Sequence, residues 1–322
     1  MNVYLTFDIE VWCNGWENLD QAFPGSFDRY VYGRSAHGEY ALPETLAILN
    51  RHGLLGVFFV EPLFATRFGL PALETIVRLI RDAGHEIQLH LHPEWTDEAL
   101  DPIIADCKVK RQHLCYYTLD EQVALIARGR ELLEAAGSGP LTAFRAGSFA
   151  VNRDSYAALR RNGLMLDTSL NRCHAVSGAD LGKAWPSDSP FIIDGVSTYP
   201  VTVFKDGFGK LRPAQVGACS ASEMREALAT AADAGHAAFV IVSHNFEMLK
   251  AGSSEPDWIV ARRFEALCAH LAAHRERYTV RGFGADLELG TDSVATHDEW
   301  PHAQMLSTAQ RHIEQLQRRL HL

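Results

Sequence analysis

Gly84-His85-Glu86-Ile87-Gln88-Leu89-His90-Leu91-His92-Pro93-Glu94-Trp95 is the stretch on which the fold turns. From Glu86 the residues alternate with the period of a β-strand, in which side chains at i and i+2 share a face. His90 and His92 therefore project together, with Leu89 and Leu91 on the other side. Pro93 ends the strand, so the histidine pair sits at its C-terminal tip. Two imidazoles with a carboxylate nearby suit zinc or a similar divalent ion and leave room for water. His85 precedes the strand and reads as structural.

The same short apolar run, followed by a helical pattern, repeats outward in both directions. Strands are expected at Val3 to Phe7, Gly56 to Val60, Glu86 to His90, Thr142 to Phe144 and Leu164 to Asp167. Further strands are expected at Thr198 to Val203, Ala238 to Val242 and Tyr278 to Val280. Apolar spacings of three and four predict helices over Pro43 to His52, Pro71 to Ala83, Leu119 to Ala136, Arg153 to Asn162, Ala221 to Ala234 and Pro256 to His274. Ser222 reads as the cap of the fifth. Strand, helix, strand in succession predicts an α/β fold of parallel strands with crossover helices. An open doubly wound sheet and a closed barrel fit that pattern equally. From Ala303 to Leu320 an amphipathic helix is expected. Its stripe of Leu306, Ile313, Leu316 and Leu320 would pack on the barrel or on a partner, which allows a homo-oligomer.

The chain has 322 residues and a formal net charge of -10. That balance argues against nucleic acid or an anionic membrane as partner, since both need concentrated Lys and Arg. The six cysteines form no C-x-x-C pair, which argues against a metal-thiolate site and for a reducing compartment. No basic and apolar leader follows Met1 and no run is long enough to span a membrane, so a cytoplasmic protein is expected. No G-x-G-x-x-G or P-loop pattern supports a nucleotide binder.

Other chemistry-bearing residues also stand where apolar runs stop. Asp8 and Glu10 share a strand face, and two crowded carboxylates call for a cation or a proton. Arg145 precedes a Gly turn, Asp167 ends a short run, and His244 follows four apolar residues as a candidate general acid. In a parallel barrel such strand ends converge on one rim.

These motifs resemble the polysaccharide deacetylases, carbohydrate esterase family 4, which share homology with the chitooligosaccharide deacetylases of nodulation. The resemblance runs from about Val3 to about Phe283. It rests on TFDIE (6–10), GVFFVE (56–61), GHEIQLHLHPEW (84–95), FRAGSF (144–149), LDTSL (166–170) and IVSHNFE (241–247), in the family's order. It implies a distorted (β/α)7 barrel over residues 1–289, with residues 290–322 as a C-terminal linker and amphipathic helix. It implies one divalent metal, zinc in the first instance, and a saccharide or glycolipid-precursor substrate that loses an N- or O-acyl group. Asp8 matches the family's catalytic base, Arg145 the residue that orients it, His244 the catalytic histidine and Asp167 the acid that tunes it. Glu10 stands one residue beyond the usual metal-binding Asp. His90 matches the first metal histidine, whereas Glu94 occupies the second one's position. His92, on the same strand face as His90, is the expected third ligand, with Glu94 as the fallback. The variants FRAGSF and HLHPEW look like a branch associated with lipopolysaccharide and surface-polysaccharide synthesis. Trp12, Trp16, Tyr30, Tyr32 and Trp95 are candidates for stacking on sugar faces or for loop packing. The alternatives are a hydrolase of a cyclic ureide or imide on the same scaffold, and a non-catalytic glycan-binding homologue.

Overall fold

The computed structural model describes residues 1–105, 107–174, 176–179, 181, 189–284 and 300–320. The expected linker residues Thr291, Asp292 and Ser293 lie outside these. The chain divides into two compact units, Met1–Gly56 with Val201–Gly282 and His297–Leu322, and Val57–Pro200 with Phe283–Thr296.

In the first unit the strand Asn2–Ile9 pairs in parallel with Ala238–His244, in register from Asn2 with Ala238 to Asp8 with His244. It also pairs in parallel with Thr279–Val280. Val3, Leu5, Phe239 and Ile241 are all buried, as continuous apolar runs in a parallel sheet require. Helices Leu42–Arg51, Ala221–Asp233 and Trp258–Ala273 belong to the same unit. Ser220, not Ser222, caps the second of these. Its hydroxyl accepts from the Glu223 N–H while the Glu223 carboxylate accepts from the Ser220 N–H, a capping box.

In the second unit the parallel ladder runs from Gly56–Val60 to Glu86–Leu91, Ala143–Ala146, Leu166–Asp167 and Val196–Thr198. Val57, Phe58, Phe59 and Val60 are wholly buried. Helix Leu70–Asp82 buries Leu73, Ile76, Val77 and Ile80, one stripe at helical spacing. These crossovers bear out the expected class, α/β with parallel strands of the distorted (β/α)-barrel kind.

Two features depart from expectation. The run Thr198 to Val203 is interrupted at Pro200, which has no N–H to give a ladder. Its halves fall into Val196–Thr198 and Val203–Lys205, the latter a hairpin strand paired antiparallel with Leu211–Pro213. Phe191–Ile193 pairs antiparallel with Val196–Thr198. Asp194 and Gly195 join them with φ of 47° and 84°, the left-handed pair that a tight hairpin turn needs.

The C-terminal helix, Met305–Leu320, forms as expected but presents the opposite face. Its buried residues are Ser307, Thr308 and Arg311, whereas Leu306, Ile313, Leu316 and Leu320 are exposed. The stripe therefore does not pack on the body of the protein. Charge holds the helix instead. Arg311 Nε donates to both Glu223 carboxylate oxygens at 3.0 Å, and its Nη2 donates to Asp206 Oδ2 at 2.9 Å. Glu314 receives Arg263 at 2.8 Å, and Arg318 donates to Asp257 at 2.6 Å.

Candidate functional site

The residues singled out in the sequence fall into two sets, one in each unit. In the first unit the parallel register sets Asp8 beside His244 at the C-terminal ends of their strands. A carboxylate oxygen of Asp8, one of Glu10 and a ring nitrogen of His244 all lie within 4.8 Å of one another, a grouping able to hold a cation. His244 Nε2 stands 4.0 Å from Asp8 Oδ2.

Glu10 is held from two sides. Asn245 accepts from the Glu10 N–H and donates to the Glu10 carbonyl, both at 3.1 Å. The Trp12 indole N–H donates to the Glu10 carboxylate at 2.6 Å. That bond fixes the Trp12 indole beside the carboxylate.

His244 Nδ1 bonds Glu247 Oε1 at 2.9 Å. Glu247 is itself fixed by the Gln215 amide at 2.5 Å and the Gly217 N–H at 2.6 Å. Burial by itself would lower the pKa of His244. The Glu247 hydrogen bond and the charges of Glu10, Glu247 and Asp8 reverse that and raise it to about 9. The ring is thus a cation at neutral pH, one nitrogen on Glu247 and the other toward Asp8. Glu247 and Asn245 belong to the stretch IVSHNFE (241–247), whose spacing assigns neither a role. They lie beyond the strand, where alternation gives no facing, although an acid three residues after a histidine in a turn is a signal of local pairing.

In the second unit His90 and His92 share a face as expected, with ring centroids 4.8 Å apart. His90 Nδ1 lies 2.8 Å from the Arg145 carbonyl oxygen. A carbonyl only accepts, so Nδ1 donates, and in the neutral ring Nε2 carries the lone pair. His92 Nδ1 lies 3.2 Å from Glu94 Oε2, which orients that ring in the same way. Gly147 allows His92 its place, because a Cβ there would stand 2.6 Å from the imidazole Cε1 and Nδ1.

Arg145 pairs with His90 in the ladder and is fully buried. Its guanidinium donates to the Thr168 carbonyl at 3.2 Å and hydroxyl at 3.1 Å, and lies 4.4 Å from the Phe59 ring centroid. Asp167 accepts from the Tyr156 hydroxyl at 3.0 Å and from the Ser169 N–H and hydroxyl. Burial lifts the Asp167 carboxyl to about 6, against the pull of Ser169, Tyr156 and Arg145. Glu61, buried near His92 and Glu94, is pushed up to about 8, so it is largely neutral at pH 7. Ser148 and Phe149 hold φ of 53° and 57° directly after the Arg145 strand, a backbone conformation that a bulky side chain rarely adopts.

The aromatic candidates divide. Trp95 is fully buried and meets Phe68 edge-on, and Tyr30 is buried against Phe246, so neither is offered to a sugar. Trp12 and Trp16 form an edge-on pair at 6.1 Å and remain partly exposed. Tyr32 carries the Arg34 guanidinium 3.9 Å from its ring centroid.

No protein-family model and no curated protein matches the chain. Solved structures do. A candidate polysaccharide deacetylase from Mycobacterium smegmatis is 21% identical over 87% of this chain and 86% of its own, with a TM-score of 0.55. A 4-alpha-glucanotransferase from Thermococcus litoralis is 11% identical over 88% of this chain and 39% of its own, with a TM-score of 0.53. A family 4 carbohydrate esterase from Streptomyces lividans, in complex with acetate, is 14% identical over 86% of this chain and 90% of its own, with a TM-score of 0.43. At such identities the first two likenesses establish the fold. The two proteins are named for different reactions, so the chemistry rests on this chain's own side chains.

Proposed function

We propose that the chain is a metal-dependent hydrolase that removes an acyl group, acetyl in the first instance, from a nitrogen or oxygen of a saccharide. The observation that carries this reading is the facing pair of the first unit. A carboxylate, Asp8, stands across 4.0 Å from an imidazolium, His244, with Glu10 beside both and Glu247 behind the ring. A base and an acid placed so can split a proton transfer between an attacking water and a leaving group. The fold shared with a candidate polysaccharide deacetylase and the six motifs in family order support the acyl-saccharide class.

In this reading Asp8 takes a proton from water as its oxygen attacks the acyl carbon. His244 delivers its Nε2 proton to the departing amine or alkoxide as the C–N or C–O bond breaks, and Glu247 holds the ring and its charge. Arg145 is proposed as the residue that orients the base. Asp167 anchors the strand end beside Arg145, and the tuning role that the resemblance assigned to it passes to Glu247. Glu10, His90 and His92 are the proposed metal ligands. The donor set fits a zinc-like ion, since both imidazoles meet an acceptor through Nδ1, the orienting contact that a metal-ligating histidine makes through its other nitrogen. The Glu94 carboxylate on His92 Nδ1 favours an orienting role for Glu94 over its fallback role as a ligand. When bound, a divalent cation supplies a positive charge that polarises an acyl carbonyl and acidifies water. A surface-polysaccharide or lipid-linked precursor as substrate and a cytoplasmic setting complete the proposal. Among the described residues no helix is long and apolar enough to cross a membrane.

The test is acetate release from N- and O-acetylated oligosaccharides by purified protein, with metal content measured in parallel. Release that stops on chelation and returns with zinc is expected, at one ion per chain. Hydrolysis of a cyclic ureide or imide by ion-free protein would replace this reading with the C–N alternative. Saccharide binding without turnover under any divalent ion would replace it with the glycan-binding one.

A further inference from the structure

We propose that the outer face of the C-terminal helix is covered by the same face of a second copy of this chain. Leu306, Ala309, Ile313, Leu316 and Leu320 are spaced alternately three and four apart, the seam of a helix pair. The four large residues among them stand 83%, 60%, 57% and 73% exposed in chain order, so the seam is formed and turned outward. The salt bridges of Arg311, Glu314 and Arg318 lie on the opposite side and fix the helix in that orientation.

The patch is wider than the helix. Gly207 abuts the first turn so closely that a Cβ would stand 2.4 Å from the Met305 backbone. The next residue, Phe208, lies with its ring centroid 6.1 Å from that of His312. Phe208 and Met305 are themselves exposed and extend the stripe at its N-terminal end.

Area and charge choose the occupant. The six large apolar residues expose on the order of 800 Å2, well beyond the few hundred a monomer usually leaves open. That is also the share each partner gives to an interface of ordinary size. The acid of the described helix, Glu314, is bound to Arg263 on the inner side, so no carboxylate side chain of the helix Met305–Leu320 borders the seam. Gln310 and Gln317 flank one edge and Met305, His312 and Arg319 the other. A two-fold antiparallel pairing sets the two Arg319 at opposite ends and buries no charge. A net charge of -10 opposes adsorption of this face to an anionic lipid surface.

Sedimentation velocity of the full chain decides it. Wild type is expected to run as a dimer at roughly 10 µM, above the micromolar Kd that marks the weak end for interfaces of this size. The double variant Ile313→Glu/Leu316→Glu is expected to run as a monomer with unchanged circular dichroism. A wild-type monomer at roughly 100 µM overturns the proposal, as does a double variant that stays dimeric. So does a monomer that co-sediments with phosphatidylcholine vesicles, which would assign the face to a membrane. Acetate release plays no part in the readout, so failure here leaves the proposed function standing.

Discussion

Asn2–Ile9 and Glu86–Leu91 are built alike and finish differently. Each is a buried strand in a parallel ladder, and each carries two chemistry-bearing side chains two residues apart at its C-terminal end. The first ends in Asp8 and Glu10, and the charge is answered by His244 raised to about 9. The second ends in His90 and His92, with a carbonyl and a carboxylate on their Nδ1 atoms. The same alternation thus places two carboxylates facing an imidazole at one tip and two imidazoles at the other. A further parallel makes the contrast testable. Each tip has a glycine pressed against its key group, Gly217 against Glu247 and Gly147 against His92.

The largest effects should come from removing one group at each tip. Asp8→Asn is expected to lower kcat by roughly a thousandfold or more with the ion retained, because the amide cannot accept the proton. His90→Ala is expected to lose the ion and the activity together. Metal analysis beside initial rates separates the two. Equal ion loss in both variants would erase the division of labour between the tips. His244→Ala comes next, with kcat down on the order of a hundredfold and KM little changed, as loss of an acid used in the transition state requires. An unaltered kcat would move the acid elsewhere.

Sequence alternation was enough to read both tips, because burial on a strand forces side chains two apart onto one face. The fold class followed from the order of runs for a similar reason. What escaped was decided by contacts off the strands. Glu247 acts from a turn, where no period exists. Gly147 and Gly217 matter through a missing atom. The stripe Leu306, Ile313, Leu316 and Leu320 was legible as a stripe, but its direction was not. Glu223 and Asp206, 88 and 105 residues before Arg311 along the chain, decided which face turned inward. The hairpin at Asp194-Gly195 did carry a readable turn signal.

The two glycines give the next, smaller pair of outcomes. In Gly147→Ala the added methyl would stand 2.6 Å from the His92 ring, so the ring must turn, and ion affinity is expected to fall about tenfold or more. In Gly217→Ala the methyl would stand 2.7 Å from Glu247 Oε2, and the same change at the other tip should spare the ion. Titration with zinc under a competing chelator reads the difference. Equal losses would mean that both glycines act on general packing.

The smallest effect at neutral pH, and the most specific, belongs to Glu247→Gln. The amide oxygen can still accept from His244 Nδ1, but the charge that holds the proton is gone. Burial then works against the imidazolium with less opposition, and its pKa should drop by roughly one to two units from about 9. An acid must be protonated to act, so the alkaline limb of kcat should move down by that amount while the rate near pH 6 changes little. Stability carries the same sign. A folded pKa above the usual 6.5 contributes stability that is fully present below 6.5 and lost as pH rises through about 9. Wild type should therefore lose melting temperature between neutral pH and pH 9, and the variant should lose less across that window. An alkaline limb that stays in place would mean that Glu247 does not hold the proton, and the carboxylate tip would then owe its cation to Asp8 and Glu10 alone.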